Sequence, residues 1–358
     1  MIFRHALLRE LVISSLGIFF VLIGIIVTTA LVRLLGLAAG GAITAGGVAA
    51  LLGLALVSYL PLVLSLALFV AVLMTLTRSY RDSEMVVWFA SGMGLTEWIR
   101  PVLTFTVPVV VLITLASLLL RPWAVANSEE LRRRMDSRDD VSAITPGVFR
   151  ESNRADRVFF VEAVSGAEKL VGNVFVSSVQ HNRQGVMVAA QGYVETALNG
   201  DRFLVLKNGR RYEGEPGKAA YKIYEFERYA MRIGSSEAPR APTEKSTPTV
   251  ELVRNLTHRN QGELSFRLGI PIGALILALL AIPLSFVNPR AGRSMNLLLA
   301  LLVYMSYSNM LSIAQASIAQ SRISFAVGVL GVHALMFVLL LLLFYRRLML
   351  FSLFRLIR

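Results

Sequence analysis

The 358-residue chain contains no cysteine, which excludes disulfides, thiolate metal sites and a cysteine nucleophile. It has only five lysines, and none lies in the Gly-x-x-x-x-Gly-Lys-Ser/Thr pattern that binds nucleotide phosphates. No cluster of metal ligands is present either, so no cofactor is predicted for this chain. Charged residues make up 16% of the sequence and hydrophobic residues 55%. Soluble domains are about a quarter charged, so this balance is typical of a membrane protein.

Long stretches of the sequence lack Asp, Glu, Lys and Arg altogether. A charged side chain at the centre of a membrane helix costs about 2.5–3.5 kcal/mol, so membrane spans appear as gaps in the charge pattern. Crossing the hydrocarbon takes roughly 20 residues in a helix, and five gaps are near or above that length. These five gaps cover residues 11–32, 102–120, 268–287, 294–321 and 323–345.

A further uncharged stretch, residues 34–77, is long enough for two spans. Its first part, residues 36–47, contains five glycines, which favours a surface loop over a helix. We therefore expect one long span over residues 48–77, kinked at Pro61. The sequence thus predicts six transmembrane helices. None of the six contains an acidic residue, which argues against transport coupled to ions or protons.

Arginine is distributed unevenly between the two sides of these spans. With both termini in the cytoplasm, the short outer loops hold only Arg33 and Arg322, while the short inner segments hold eleven arginines. This follows the positive-inside rule. Most of the net charge of +13 therefore reflects membrane orientation, and no nucleic-acid partner is predicted. The eleven inner arginines are Arg4, Arg9, Arg78, Arg81, Arg100, Arg290, Arg293, Arg346, Arg347, Arg355 and Arg358.

Between the third and fourth spans lies a segment of mixed charge, residues 121–267, that is long enough for its own core. It begins with a charged helix over 127–140 and ends with a proline-containing linker over 235–250. Apolar residues alternate between these ends, and Asn-Gly pairs at 199–200 and 208–209 predict turns. An antiparallel β-sandwich or jellyroll is expected. The alternating runs cover residues 157–164, 170–180, 185–196, 202–206 and 219–233.

The residue pattern of the cytoplasmic loop between the second and third spans predicts a short amphipathic helix, which Asp82 or Ser83 would cap. Docking of another protein and anchoring at the membrane interface are equally compatible with this pattern. Apolar residues would lie at the membrane edge and charged residues would face outward. The apolar residues are Met85, Trp88 and Phe89, and the charged ones are Arg81, Asp82 and Glu84.

Two features near the outer surface are candidates for ligand contact. Ser308, Ser312 and Gln315 fall at i, i+4 and i+7 of the fifth span and share one helix face. Helix packing explains this stripe more simply than a cavity wall does. Arg33 ends the first span, where snorkelling to head groups is a simpler explanation than a forked contact with a phosphate.

Catalysis within the membrane is not expected. A Ser–His pair between two helices is conceivable, because His333 lies in the sixth span and three serines, Ser306, Ser308 and Ser312, lie in the fifth. No Gly-x-Ser-x-Gly or His-Glu-x-x-His pattern accompanies them.

The chain resembles the LptF/LptG family of lipopolysaccharide export permeases, which are transmembrane subunits of ABC transporters. The resemblance covers nearly the whole length. Its F-type features are LVRLLG at the end of the first span, DSEM in the cytoplasmic loop and VNPRAGR after the fourth span. It implies three spans and a cytoplasmic coupling helix (about 81–92) in residues 1–121, a periplasmic β-jellyroll in 122–266, and three spans in 267–358.

The resemblance also implies roles for particular residues. Glu84, with Asp82, Ser83 and Arg81, would contact an ATPase subunit. Spans one and five would be gate walls for lipid. The implied lipid-contacting residues are Arg33, Ser308, Ser312, Gln315 and Arg322.

The partners implied are lipopolysaccharide, a G-type permease subunit forming a heterodimer, a cytoplasmic ABC ATPase dimer that hydrolyses ATP, and LptC-type and LptA-type periplasmic jellyroll proteins. The location implied is the inner membrane of a Gram-negative bacterium. A membrane scaffold or receptor, whose β domain docks a periplasmic partner without transporting lipid, is the alternative.

Overall fold

The computed structural model describes residues 2–39, 43, 45–92, 94–136, 147–151, 157–165, 170–180, 183–197, 201–214, 220–234, 242–286 and 293–356. The chain forms two compact units. One, here called the helical unit, comprises residues 1–35, 46–130 and 242–358, and the other, the β unit, comprises 36–45 and 131–241. The segment 122–266 thus contributes its two ends to the helical unit.

Six helices among the described residues are long and apolar enough to cross a membrane, which confirms the predicted number. The α-helices of the described residues are α1 (Ile2–Ala39), α2 (Ala45–Arg81), α3 (Glu84–Ala90), α4 (Ile99–Leu115), α5 (Arg121–Asp136), α6 (Thr249–Arg254), α7 (His258–Leu284), α8 (Arg293–Ala319) and α9 (Phe325–Leu356). The six candidate spans lie in α1, α2, α4 together with α5, α7, α8 and α9. Helices α3 and α6 are short.

Several boundaries differ from the sequence-based expectation. The first helix runs through Gly36 to Ala39, so the glycine-rich stretch is not loop from its start. The charged helix continues the third span as one rod, as expected, but it begins at Arg121 and not at 127, directly after a π-helical turn (Ala116–Leu120) that joins α4 to α5. The fourth span begins at His258 and not at 268. The charge pattern misplaced this start because Glu263 and Arg267 lie inside the helix and neutralise each other.

The fourth span, α7, is the centre of the helical unit. In the most apolar stretch of α7, 72% of the residues are buried, whereas in the corresponding stretch of α1 only 6% are buried. Small residues such as Gly273 and Ala274 let neighbouring helices approach closely. Apolar side chains from α2, α4, α8 and α9 complete this core, among them Leu73, Val102, Tyr307 and Met336.

Among the described residues of the β unit, six strands form one antiparallel sheet, in which each strand pairs with its neighbours in sequence. This confirms an inserted all-β domain. The order is that of a meander, whereas a jellyroll requires Greek-key connections between two sheets. The strands are β1 (Arg150–Glu151), β2 (Arg157–Ser165), β3 (Leu170–Gln180), β4 (Arg183–Thr196), β5 (Arg202–Gly214) and β6 (Tyr221–Gly234).

Alternate side chains build the core of the sheet, as the period of two requires. Phe159, Val174, Val176, Met187 and Leu204 are buried together on one face. The neighbouring positions Phe160 and Phe175 are cross-strand partners and lie on the other face.

The turn predicted at 208–209 is wrong. Strand β5 continues through Asn208, which adopts a left-handed conformation (φ 51°) inside the strand. Asn and Gly tolerate this conformation in strand irregularities as well as in turns, so the pair alone does not distinguish the two. The predicted turn at 199–200 and most of the VNPRAGR segment (287–292) lie outside the described residues.

Candidate functional site

The turn between α2 and α4 begins with two exposed residues, Asp82 and Ser83. Ser83 occupies the N-terminal cap position of α3 but has φ 62° and makes no side-chain cap. The Asp82 carboxylate instead accepts a hydrogen bond from Arg78, at 3.2 Å. The predicted capping of this helix is therefore wrong. The left-handed Ser83 turns the chain sharply, so α3 starts anew after α2 and does not extend it.

Arg78 is the hub of a charge network at this end of the helical unit. Its Nε and Nη2 donate to the two carboxylate oxygens of Glu10 on α1, at 2.5 and 2.7 Å. Its Nη1 donates to Glu84 on α3, at 3.1 Å. One arginine therefore links α1, α2 and α3.

The apolar side of α3 packs onto the helical unit. Met85 is fully buried, and Trp88 and Phe89 are half-buried against the same core. The expectation that they line the membrane edge is wrong for Met85, because the turn at Ser83 directs that side of the helix inward. Val86 and Val87 remain exposed, beside the partly exposed carboxylate of Glu84.

At the opposite end of the helical unit, the side chains of Arg33 and Arg322 are exposed and make no polar contact with any described residue. On α8, the hydroxyl of Ser312 donates to the carbonyl of Ser308, so these residues share a face as predicted. The third member of the stripe, Gln315, donates from Nε2 to the carboxylate of Glu263 at 2.9 Å. Gln315 thus faces α7 and belongs to a helix–helix contact.

Glu263 and Arg267 are residues that the sequence argument missed. Their side chains are 1% and 0% exposed, and Arg267 Nε donates to Glu263 Oε1 at 3.0 Å. Arg121, at the start of α5, donates to the same oxygen at 2.7 Å. The spacing i, i+4 of opposite charges next to a span was the signal that could have found them.

His333 has a tyrosine as its neighbour. Its Nδ1 lies 2.5 Å from the hydroxyl of Tyr307, and both side chains are buried between α8 and α9. None of the three serines considered in the sequence forms this contact. Within the described ranges, no group of three or more acidic or histidine side chains is placed to hold a metal ion.

Comparison with known proteins identifies the family. Residues 5–346 match the family model described as "Lipopolysaccharide export system permease LptF/LptG". The chain is 30% identical over 311 residues to the lipopolysaccharide export system permease protein LptF of Escherichia coli K12, which covers 86% of this chain and 84% of that protein. The LptF proteins of Escherichia coli O157:H7 and Shigella flexneri match equally well. The chain therefore belongs to the LptF/LptG family of lipopolysaccharide export permeases, multi-pass proteins of the inner membrane.

Proposed function

We propose that this chain is an F-type permease subunit that extracts lipopolysaccharide from the outer leaflet of the inner membrane and passes it to a periplasmic bridge. A separate ATPase dimer supplies the energy. The observation that carries the proposal is the family match, which extends through the helical unit and the β unit alike.

The proposed orientation puts both termini and α3 in the cytoplasm, and the β unit in the periplasm of a Gram-negative cell. The distribution of arginine supports it. Near the turn between α2 and α4 lie Arg78, Arg81 and Arg100, whereas the short connections at the other end hold only Arg33 and Arg322.

Helix α3 is the element that docks the ATPase. Its outer surface combines the partly exposed Glu84 with the apolar pair Val86 and Val87, which suits a groove with an apolar floor and a basic residue. Its inner surface is held by Met85, so that a push on α3 is passed to the helical core. The polar residues exposed around Glu84 are Arg81, Asp82 and Ser83.

A second, G-type permease subunit completes the lipid path. Helix α1 exposes large apolar side chains along its length, including Leu16, Phe20 and Ile25, and packs little against its own chain. Such a face requires lipid or another helix. The guanidinium of Arg33 suits the forked recognition of a lipid phosphate, and Arg322 suits the same anion. Ser308 and Ser312 line the same side of α8, while Gln315 is engaged with Glu263.

The β unit is the component that hands lipid to LptC-type and LptA-type periplasmic proteins. Among the described strands, β6 pairs only with β5, which leaves a 14-residue edge to which another sheet can add. An aromatic cluster of Phe149, Phe160 and Phe175, with ring centroids 4.6 and 6.0 Å from Phe149, offers an apolar surface for acyl chains.

Energy must come from outside this chain. Taking an acyl chain out of apolar surroundings costs about 0.8 kcal/mol per CH₂ group. The sequence has no nucleotide-binding motif, so ATP is bound and hydrolysed by the partner subunit.

The test is photocrosslinking in cells, with a photoreactive residue placed in turn at Arg33, Ser308 and Phe160. Adducts are probed for lipopolysaccharide with the partner ATPase either active or catalytically inactive. We expect adducts at Arg33 or Ser308 in both cases, and adducts at Phe160 only with the active ATPase. A complex that assembles but gives no adduct at any position would favour the scaffold or receptor function instead.

A further inference from the structure

Glu263 and Arg267 lie in the first turns of α7, where the chain re-enters the helical unit after the β unit. Both are fully buried, and the pair shares its carboxylate with Arg121. Two guanidinium groups and one carboxylate leave a net positive charge. Arg121 places the remainder of its guanidinium over the ring of Phe266, at 5.0 Å, and Arg267 binds neutral acceptors.

The neutral acceptors of Arg267 belong to the segment that returns from the β unit. Its Nη2 lies 3.0–3.1 Å from the carbonyl oxygens of Glu244, Lys245 and Thr247. Its Nη1 donates to the hydroxyl of Thr249 at 2.7 Å. A planar guanidinium reaches all of these groups at once, which a lysine ammonium cannot do. Residues 244–249 are therefore fastened to α7.

The segment that leads into the β unit is fastened at the same place. Arg121 is the first residue of α5, directly after the π-helical turn. Within that turn, the hydroxyl of Ser117 donates to the carbonyl of Arg267 at 2.8 Å, and Thr249 donates to the carbonyl of Leu118 at 2.5 Å. A π-helical turn interrupts the regular backbone hydrogen bonds of a helix, and Thr249 supplies a donor to one of its carbonyls.

Helix α8 joins the cluster through Gln315. Its amide donates to the second carboxylate oxygen of Glu263. The two helices touch here, because a Cβ at Gly262 would lie 2.7 Å from the carbonyl oxygen of Gln315. The carboxylate of Glu263 is therefore shared by α5, α7 and α8.

We propose that Arg267 and Glu263 are positioning residues that fasten both connections of the β unit to α7 and α8. A displacement of α8 is then passed through Gln315 and Glu263 to the segments that carry the β unit. The transport part of this inference rests on the proposed function, in which α8 is a wall of the lipid gate. The fastening itself depends only on the contacts above.

The first experiment tests the fastening without lipopolysaccharide. The chain has no cysteine, so Lys245→Cys and Ala316→Cys, both at exposed positions, place one pair of spin labels in this chain. Distances are measured in the assembled full-length complex, with any cysteine of the partner subunits replaced. We expect a narrow distribution in the labelled parent and a clearly broader one after Arg267→Lys, which keeps the charge but loses the forked contacts. An unchanged distribution would overturn the proposal.

The second experiment tests the transmission. Gln315→Leu removes the α8 contact and leaves the Arg267 contacts in place, and Gln320→Leu, at an exposed position of the turn that follows α8, is the matched control. Lipopolysaccharide adducts are measured with photoreactive residues at Arg33 and at Phe160. With Gln315→Leu we expect normal adducts at Arg33 and at least about a fivefold loss of ATP-dependent adducts at Phe160, the lower range of coupling between sites.

The two readouts separate the possible failures. Equal loss at both positions, or no loss at either, would overturn transmission through Gln315. Absence of adducts in the parent complex would count against the proposed function, and the label distances would still decide whether Arg267 fastens the two segments.

Discussion

Glu84 does not stand alone on the surface of α3. Its carboxylate already accepts a hydrogen bond from Arg78, and its side chain remains 42% exposed. A basic residue of a docking partner would therefore share this carboxylate with Arg78. Exposed ion pairs contribute little, about 0.2–1 kcal/mol, so the partner can compete for the oxygen atoms at low cost.

Reversing the charge at this position is expected to weaken ATPase association. In Glu84→Arg the new guanidinium would lie next to Arg78 and next to a basic docking residue. We therefore predict at least tenfold weaker binding of the ATPase, about 1.4 kcal/mol, which is seen as a loss of co-purified ATPase. The matched control is Glu97→Arg, an exposed carboxylate in the same loop. Membrane insertion should be normal in both variants. Equal co-purification with the two variants would count against Glu84 as the docking contact.

At Gly209 the neighbouring strands leave no room for a side chain. A Cβ at this position would lie 2.5 Å from the carbonyl oxygen of Val188 and 2.6 Å from the ring of Phe226. Backbone on one side and an aromatic ring on the other leave little room for adjustment. The glycine thus lets β4, β5 and β6 keep their spacing next to the left-handed Asn208.

Gly209→Ala is expected to destabilise the β unit by about 1–3 kcal/mol, as overpacking generally does. Gly172→Ala is the control, since a Cβ there meets nothing within 4 Å. Pulse proteolysis of the full-length protein in a urea gradient measures the difference. Equal urea midpoints for the two variants would show that the strands can move apart at no cost.

Helices α1 and α3 both make ion pairs with Arg78 of α2. The first span is little buried and its polar contacts with α2 are few, chiefly the Glu10–Arg78 pair and the hydrogen bond from Thr75 to Ser14 at 3.4 Å. Helix α3 has only seven residues, too few to be stable by itself. Both elements therefore depend on contacts with α2.

Removing the hub should loosen α3 first. We predict that Arg78→Met increases amide hydrogen exchange in Glu84–Ala90 several-fold, because three partly exposed ion pairs of about 0.2–1 kcal/mol each are lost. Arg81→Met is the control, since Arg81 makes a single distant contact with Asp82, at 3.7 Å. If both variants exchange alike, the buried Met85 alone holds α3 in place.

The elements that the sequence predicts well are those with one dominant signal. Gaps in the charge pattern predicted six spans, and the alternation in β3 predicted its bounds at residues 170 and 180. Prediction failed where a local signal has two meanings. A charged residue usually marks the end of a span, but Arg267 is paired with a carboxylate inside the protein and lies within its helix. An Asn-Gly pair usually marks a turn, but strand β5 continues past Asn208 and Gly209.

The candidate site was predictable at the level of residue types but not of contacts. The polar stripe on α8 was found from its spacing, yet the partner of Gln315 lies 52 positions away in sequence. Likewise Glu84 was singled out in its loop, but its link to Glu10 through Arg78 requires α1 and α2 to pack side by side. Contacts of this kind depend on tertiary packing, which no periodicity in one segment encodes.

Across the helical unit, the charges are placed so that the unit can sit in a bilayer and still enclose a polar cluster near one end. The apolar faces of α1, α8 and α9 are largely exposed, whereas the ionised groups Glu263 and Arg267 are enclosed. In a soluble protein, by contrast, apolar faces of this size would be covered and most charged side chains would be exposed.

The meander order of the sheet has a consequence for biosynthesis. Each strand after β1 pairs with the strand made just before it. The sheet can therefore form one hairpin at a time, through contacts between residues that are close in sequence. It is complete when β6 has emerged, before α7 begins at His258. At ribosomal rates of about 5–20 residues per second, the remaining hundred or so residues take on the order of 5–20 s. The β unit can therefore fold during translation, whereas the helical unit is completed only when its second half, from α7 to α9, has been made.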